Sequence, residues 1–340
     1  MTTYYQALAL QTKCFAVNGM NADDAHERIM ATIERVGLQI RASKAFIGQD
    51  LKLVVLPEYF LTSFPTRESI TQWREIGCIP MDGAAYDALG AVAQNNDVYL
   101  SGNVYERDQH FPKLYFQTSF CIAPSGDVVL RYRRLNSMFA PTPHDVWDQY
   151  LDIYGLEGVY PIADTAIGRL AAVASEEILY PEISRMMAMR GAEILLHSSS
   201  EASSAQQMPK EIAKRARAIE NMAYVVSANS AGIEGTGIPA DSTNGNSQVI
   251  DPKGHILAEA AQGESMVAYA EIDLEALRRF RRRPGMGNLL ARQRFELYAS
   301  MYANHSFYPA NTLKDGIEDK SKFLKQQLET IRKLTEDEVI

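Results

Sequence analysis

From Asn21 to Arg41 the apolar positions Ile29, Ile33, Val36 and Ile40 recur every three or four residues, the spacing of one helical face. Asn21 suits the N-cap, and Asp23 and Asp24 place negative charge in the first turn, where the peptide dipoles favour it. The pattern then changes. Leu51-Lys-Leu-Val-Val-Leu56 is a nearly unbroken apolar run that predicts a strand covered on both faces. It ends in Pro57-Glu58, which sets Glu58 just beyond a strand's carboxyl end, where open α/β sheets usually hold ligands.

The alternation continues along the chain. A helix near Ala84 to Asn95 precedes a strand at Val98 to Ser101, and strands at Phe116 to Ala123 and Asp127 to Tyr132 flank the turn Pro124-Ser-Gly126. Leu170 to Ala174 predicts another buried strand. A helix follows from Pro181 to Arg190, with Gly191 as its stop, and then a strand from Glu193 to His197. A helix at Pro209 to Met222 leads into Ala223 to Ala228. Asn246 to Asp251 and His255 to Ala258 flank Pro252-Lys-Gly254, and Met266 to Ile272 is the last strand. Helical crossovers with hairpins between them predict an α/β protein with a mixed sheet system and helices outside. Past Pro284 the pattern changes again. Asp319 to Thr335 reads as one charged helix with Phe323, Leu324, Leu328, Ile331 and Leu334 on a single stripe, which needs its own domain or a partner to cover it. The expected division is therefore 1–283 for the main domain and 284–340 for an extension that packs on a partner subunit.

Composition narrows the function. With 46% apolar and 22% charged residues the 340-residue chain is globular, and its net charge of −8 argues against a nucleic-acid or membrane partner. The basic run Arg278 to Arg283 is the one dense exception. It follows Asp273-Leu-Glu-Ala-Leu277, read as the end of a helix whose dipole and acidic neighbours favour arginines, and this reading is better than a phosphate site. No apolar run reaches the roughly 20 residues of a membrane span, and the N-terminus lacks a secretory pattern, so the expected location is the cytoplasm. Cys14, Cys78 and Cys121 are too widely spaced for a disulfide framework or a zinc site, and no metal or cofactor is expected.

Three residues at predicted strand ends carry candidate chemistry: Glu58, Arg134 after Leu130-Arg-Tyr-Arg, and Ser175 at a strand-to-helix elbow. An acid, a cation and a hydroxyl that converge make a catalytic geometry; scattered, they are ordinary surface ion pairs. Glu176 and Glu177 fit either a pocket that holds an amine or the negative first turn of the next helix. His197 suits either a Ser175 pairing or a plain structural hydrogen bond.

Across about residues 5 to 280 the chain resembles the nitrilase superfamily of carbon–nitrogen hydrolases. The resemblance rests on Leu56-Pro-Glu58, on Lys113-Leu-Tyr-Phe-Gln-Thr through Asp127 to Arg134, and on Ile167 to Ser175 through Tyr180-Pro-Glu-Ile. Arg190-Gly-Ala-Glu-Ile-Leu-Leu, Arg217 to Asn229 and Asn246-Ser-Gln-Val-Ile-Asp-Pro-Lys-Gly support it in order. It implies a four-layer α-β-β-α sandwich and hydrolysis of a C–N bond in a small amide, carbamoyl or related compound. In the family a glutamate acts as general base, a lysine steadies the oxyanion and a cysteine attacks. Here Glu58 is kept, Arg134 stands at the lysine position and Ser175 at the cysteine position, and the family's second glutamate falls near Asp145. The family's thiol mechanism is therefore lost. A guanidinium keeps the positive charge but cannot give up a proton, and a serine hydroxyl needs a stronger base than a thiol does. The implied site is Glu58, Arg134 and Ser175, with Asp145, Glu176 and His197 around the ligand. The alternative is a silent relative that binds a metabolite or serves as an assembly subunit. The resemblance also implies a homodimer or larger homo-oligomer, with the C-terminal tail lying over its neighbour.

Overall fold

Two sheets stacked face to face carry most of the chain in the computed structural model, which describes residues 2–202, 209–243, 245–316 and 320–340. The first sheet runs in the order Tyr269–Asp273, Tyr4–Ala9, Leu51–Val55, Tyr99–Arg107, Phe116–Ile122, Val128–Arg133, with Cys78–Pro80 beside Tyr99–Arg107. The second runs Ile256–Glu259, Gln248–Ile250, Tyr224–Asn229, Ile194–Ser199, Gly168–Ala174, Ala163–Thr165. In both, central strands pair in parallel and the edge strands pair antiparallel; three of the four edges are hairpins, and the fourth is Tyr269–Asp273 against Tyr4–Ala9. The expected α-β-β-α sandwich is the observed fold.

The strand period of two explains the layering. Val54 and Leu56 face outward to Ile29, Ile33, Val36 and Ile40 of the helix Ala22–Ile47 and to Leu89 and Ala93 of Ala84–Asn96. Leu53 and Val55 face inward to Leu170, Ala172, Leu196 and Val226 of the second sheet, whose far side is covered by Ile183 and Met187 of Pro181–Met189 and Ala218 of Pro209–Asn221. Asn21 caps the first helix as expected, its side chain accepting from the Asp24 N–H at 2.9 Å. Gly191 stops Pro181–Met189 at φ +97°, a conformation that favours glycine.

Several elements depart from the pattern-based expectation. The strand at Val98 to Ser101 in fact spans Tyr99–Arg107. Its polar residues interrupt the apolar run, and two of them find partners inside: Asn103 donates to Ser119, and Glu106 takes bonds from Tyr86 and Arg131. The segment 137–155, where the sequence pattern predicts no element, contains the short turn Pro143–Val146 and most of the helix Trp147–Val159. The basic run does not follow a helix but lies within Leu274–Arg282, capped by Asp273. There Arg278 pairs with Glu193 at 2.6 Å and Arg281 binds the carbonyls of Met222 and Ala192, so these cations bind the fold together.

The extension beyond residue 283 carries helices Glu296–Ala303 and Ser321–Glu336; Asp319, where the sequence places the start of the last helix, lies outside the described residues. Leu313 and Phe323 are buried in the chain's own first core, and Tyr302 donates to Glu182 at 2.7 Å. Leu324, Leu328 and Ile331 of the same stripe stay exposed. Among the described residues no helix is long and apolar enough to cross a membrane.

Candidate active site

The two sheets meet at the carboxyl ends of their parallel strands. Beyond Leu51–Val55, the Glu58 N–H donates to the Ser199 carbonyl at 3.2 Å, and Ser198 Oγ donates to the Leu56 carbonyl at 2.7 Å. Ser199 closes Ile194–Ser199, which pairs with Gly168–Ala174 up to Ser198 opposite Ala174. The next residue of that neighbouring strand is Ser175. Parallel registry thus brings Glu58, Ser199 and Ser175 to one rim although they lie far apart in the chain.

Glu58 is buried, and its Oε1 accepts from Gln117 Nε2 at 2.7 Å and from Arg134 Nη1 at 3.3 Å. Gln117 lies on Phe116–Ile122; its carbonyl accepts from the Arg134 N–H at 2.9 Å and its side-chain Oε1 from Arg134 Nη1 at 2.6 Å. Arg134 also donates from Nε to the Asn136 carbonyl at 2.7 Å and from Nη2 to Glu176. Burial works against its charge, but the carboxylates of Glu58, Glu176 and Glu177 outweigh that and hold its pKa above the ordinary value. Arg134 is thus a fixed cation knitted between two acids.

Ser175 occupies the elbow after Gly168–Ala174 with φ +50°, a left-handed conformation rarely held by a residue with a Cβ. Such a strained turn displaces the side chain from both strand and helix and presents it at the rim. Its Oγ lies 3.3 Å from Lys210 Nζ, and the same nitrogen reaches Ser199 Oγ at 3.5 Å. Lys210, in the first turn of Pro209–Asn221, was missed by sequence reasoning: it lies 35 residues from Ser175 in a segment without a motif.

His197 does not face the Ser175 hydroxyl. It is fully buried beneath the elbow, with Nε2 at 2.9 Å from the Ser175 carbonyl and Nδ1 at 2.8 Å from Ser227 Oγ. A carbonyl can only accept, so Nε2 carries the proton and Nδ1 accepts from Ser227. Burial, helped by the charge of Lys214, pushes the imidazole pKa well below its usual value and keeps it neutral. Its geometry is that of a structural hydrogen bond that supports the strained turn, not of a ligand contact.

The acids separate in the same way. Glu176 is half-exposed, bound to Arg134, and lines a cavity of about 700 Å³ together with Asn136, Tyr180, Trp147 and Tyr308. Glu177 is fully buried. Its Oε1 accepts from the Leu135 and Asn136 N–H groups at 2.7 and 2.9 Å, and its Oε2 from Tyr132 at 2.7 Å. It therefore ties the elbow to the chain just after Arg134, and burial pushes its pKa up to about 7. Asp145 reaches neither Glu58, Arg134 nor Ser175 by a hydrogen bond. Its oxygens accept from Thr142 and from Thr312 of the extension, at 2.8 and 2.6 Å, so its contacts are those of an anchor on the cavity wall. The segment 198–209, between the strand that ends at the rim and the helix that carries Lys210, shows no motif and lies partly outside the described residues.

All three cysteines are buried away from the elbow, and burial pushes the Cys14 thiol up to about 12, far from a reactive thiolate. Among the described residues no group of three or more His, Cys, Asp or Glu side chains is placed to hold a metal ion.

Residues 8–282 match a family model described as Carbon-nitrogen hydrolase. The chain is 26% identical over 277 residues to omega-amidase NIT3 of Saccharomyces cerevisiae, covering 81% of this chain and 91% of that protein. It is 28% identical over 246 residues to omega-amidase NIT2 of Bos taurus, with coverage of 72% and 83%. Among solved structures it resembles Saccharomyces cerevisiae Nit3, a member of branch 10 of the nitrilase superfamily, with a TM-score of 0.64 at 22% identity over 83% of this chain and 94% of that one. It likewise resembles a carbon-nitrogen hydrolase from Helicobacter pylori G27, with a TM-score of 0.65 at 23% identity and coverage of 88% and 98%.

Proposed function

We propose that this chain, which belongs to the carbon–nitrogen hydrolase family and to the nitrilase superfamily, hydrolyses the C–N bond of a small amide, carbamoyl or related compound through Glu58, Arg134 and Ser175. The observation that carries this reading is the Ser175 elbow: a left-handed residue at a strand end whose hydroxyl oxygen faces the Lys210 side-chain nitrogen at 3.3 Å, on the rim that also holds Glu58. A backbone strained at one polar residue is characteristic of functional turns rather than of packing.

In the proposed reaction Ser175 Oγ attacks the carbonyl carbon, and the amine leaves with a proton to give an ester on Ser175. Water then hydrolyses the ester, with Glu58 as the base for that water. Arg134 acts as a fixed cation and hydrogen-bond donor, without exchanging a proton. It balances Glu58 and holds Glu176 at the cavity edge, where a substrate carboxylate or carbonyl can compete for its Nη2 donor. The omega-amidases among the relatives support a small amide as the substrate class.

The saturation of Arg134 favours a second reading. Its Nη1, Nη2 and Nε are all engaged by Glu58, Gln117, Glu176 and Asn136, which suits a closed, catalytically silent pocket that binds a metabolite. Ammonia release from a panel of amides, N-carbamoyl amino acids and nitriles separates the two. Release by the wild type and none by Ser175→Ala supports the hydrolase. Silence across the panel, with Ser175→Cys plus Arg134→Lys equally silent, supports the binding protein. The site is further proposed to work in the cytoplasm, within a homo-oligomer.

A further inference from the structure

We propose that Lys210 is the base that takes the Ser175 hydroxyl proton. The proposal rests on the hydrolase reading and supplies what that reading lacks. A serine hydroxyl is too weak an acid to attack a carbonyl unless a base stands in hydrogen-bond contact with it. Among the described residues, Lys210 Nζ is the side-chain group that meets Ser175 Oγ, at 3.3 Å. The other basic groups near the elbow are excluded by what they already do. His197 spends its one N–H on the Ser175 carbonyl and its lone pair on Ser227, in a fully buried position. Arg134 cannot deprotonate and is bound on every side to Glu58, Gln117, Glu176 and Asn136.

The placement of Lys210 suits a proton carrier. It is half-buried on the first turn of Pro209–Asn221 and reaches both Ser175 Oγ and, at 3.5 Å, Ser199 Oγ, so a second hydroxyl flanks the amine. Among the described residues no carboxylate stands within ion-pair distance of its Nζ. The charges that face it are few. Lys214 lies one turn further along the same helix, buried against Glu201 at 3.6 Å, and burial shifts it toward the neutral amine. Glu211, the next residue, accepts from Asn246 at 3.2 Å, and neutral His197 lies under the elbow.

The step balances without a co-reactant. Lys210, as the free amine, accepts the Oγ proton while the Oγ–C bond forms. The resulting ammonium gives that proton to the amine nitrogen as the C–N bond breaks, leaving an ester on Ser175 and a neutral base.

A fluorophosphonate probe tests this directly, because Ser175 Oγ forms the P–O bond, fluoride leaves and the hydroxyl proton must go to the base. Labelling of the full chain is followed by intact mass between about pH 6 and 10. The expected result is one label at Ser175, absent from Ser175→Ala, with a rate that rises with pH. Lys210→Met and Lys210→Arg, both melting near the wild-type temperature, are each expected to label at least about 100-fold more slowly, the lower range of general base catalysis. The proposal is overturned if the wild type does not label, if its rate is flat in pH, if Lys210→Met labels like the wild type, or if Lys210→Arg does so, since charge alone would then suffice. A wild type that labels but hydrolyses no amide ends the hydrolase reading and leaves this role standing. Amide turnover that survives in Lys210→Met does the reverse.

Discussion

Arg134 Nη1 stands 3.3 Å from Glu58 Oε1, and both side chains are shielded from water by the rim that joins the two sheets. An ion pair in such a setting repays its desolvation only through mutual attraction and further hydrogen bonds, which Gln117 provides to both partners. Removing one partner leaves the other charge uncompensated. Arg134→Met is expected to lower the unfolding free energy by about 3–5 kcal/mol, measured by urea denaturation. Glu176→Gln, which loses only the half-exposed bond to the same guanidinium, should cost no more than about 1 kcal/mol. Equal costs for the two variants would contradict this picture of the site.

Glu177 predicts a pH dependence. Its folded pKa is raised to about 7 by burial, above the ordinary carboxyl value, so the folded chain binds the proton more tightly than the unfolded chain does. The stability this contributes is fully present below the unfolded pKa, near 4.3, and is lost as pH rises through about 7. Between those limits the loss amounts to roughly 3 kcal/mol. Glu177→Gln should flatten this part of the stability profile in urea titrations at pH 5 and pH 8. An unchanged slope in the variant would rule out Glu177 as its source.

Much of the fold can be read from the chain because local chemistry and burial agree. Leu51 to Val55 is apolar on both faces and is a central strand, and Asn21 has both the residue type and the position of a cap. Tyr99–Arg107 is harder to read, since Asn103 and Glu106 look exposed until their partners arrive from Phe116–Ile122 and Ala84–Asn96. The site divides along the same line. Glu58, Arg134 and Ser175 sit in motifs, but Lys210 meets Ser175 only through a helix that crosses over between neighbouring parallel strands, a contact without any local signature. From the sequence, His197 and Glu177 each admit two readings. Burial and the identity of the accepting or donating atoms decide between them, and a sequence carries neither.

Lys214 and Glu201 form a second buried pair at 3.6 Å, next to the proposed base. Each single variant, Lys214→Met or Glu201→Gln, strands a charge and should cost about 3–5 kcal/mol. The double variant should cost less than the sum by about 1–3 kcal/mol, since the two side chains interact. Additive costs in a double-mutant cycle would mean that the pair is not coupled.

The exposed residues Leu324, Leu328 and Ile331 continue a stripe whose first member, Phe323, is buried in its own chain. A second copy is expected to cover them. Leu328→Glu plus Ile331→Glu should lower the sedimenting mass to that of one chain at micromolar concentration and leave the melting temperature nearly unchanged. A wild-type chain that already sediments as a monomer would remove the expected role of this stripe.

The attack by Ser175 is tested most directly by quenching the wild-type protein with acid during turnover of a slow amide and weighing its peptides. The account predicts one peptide, the one containing Ser175, heavier by the acyl group, with no adduct in Ser175→Ala. Amine release from the same mixture without any acyl adduct, and undiminished in Ser175→Ala, would contradict it.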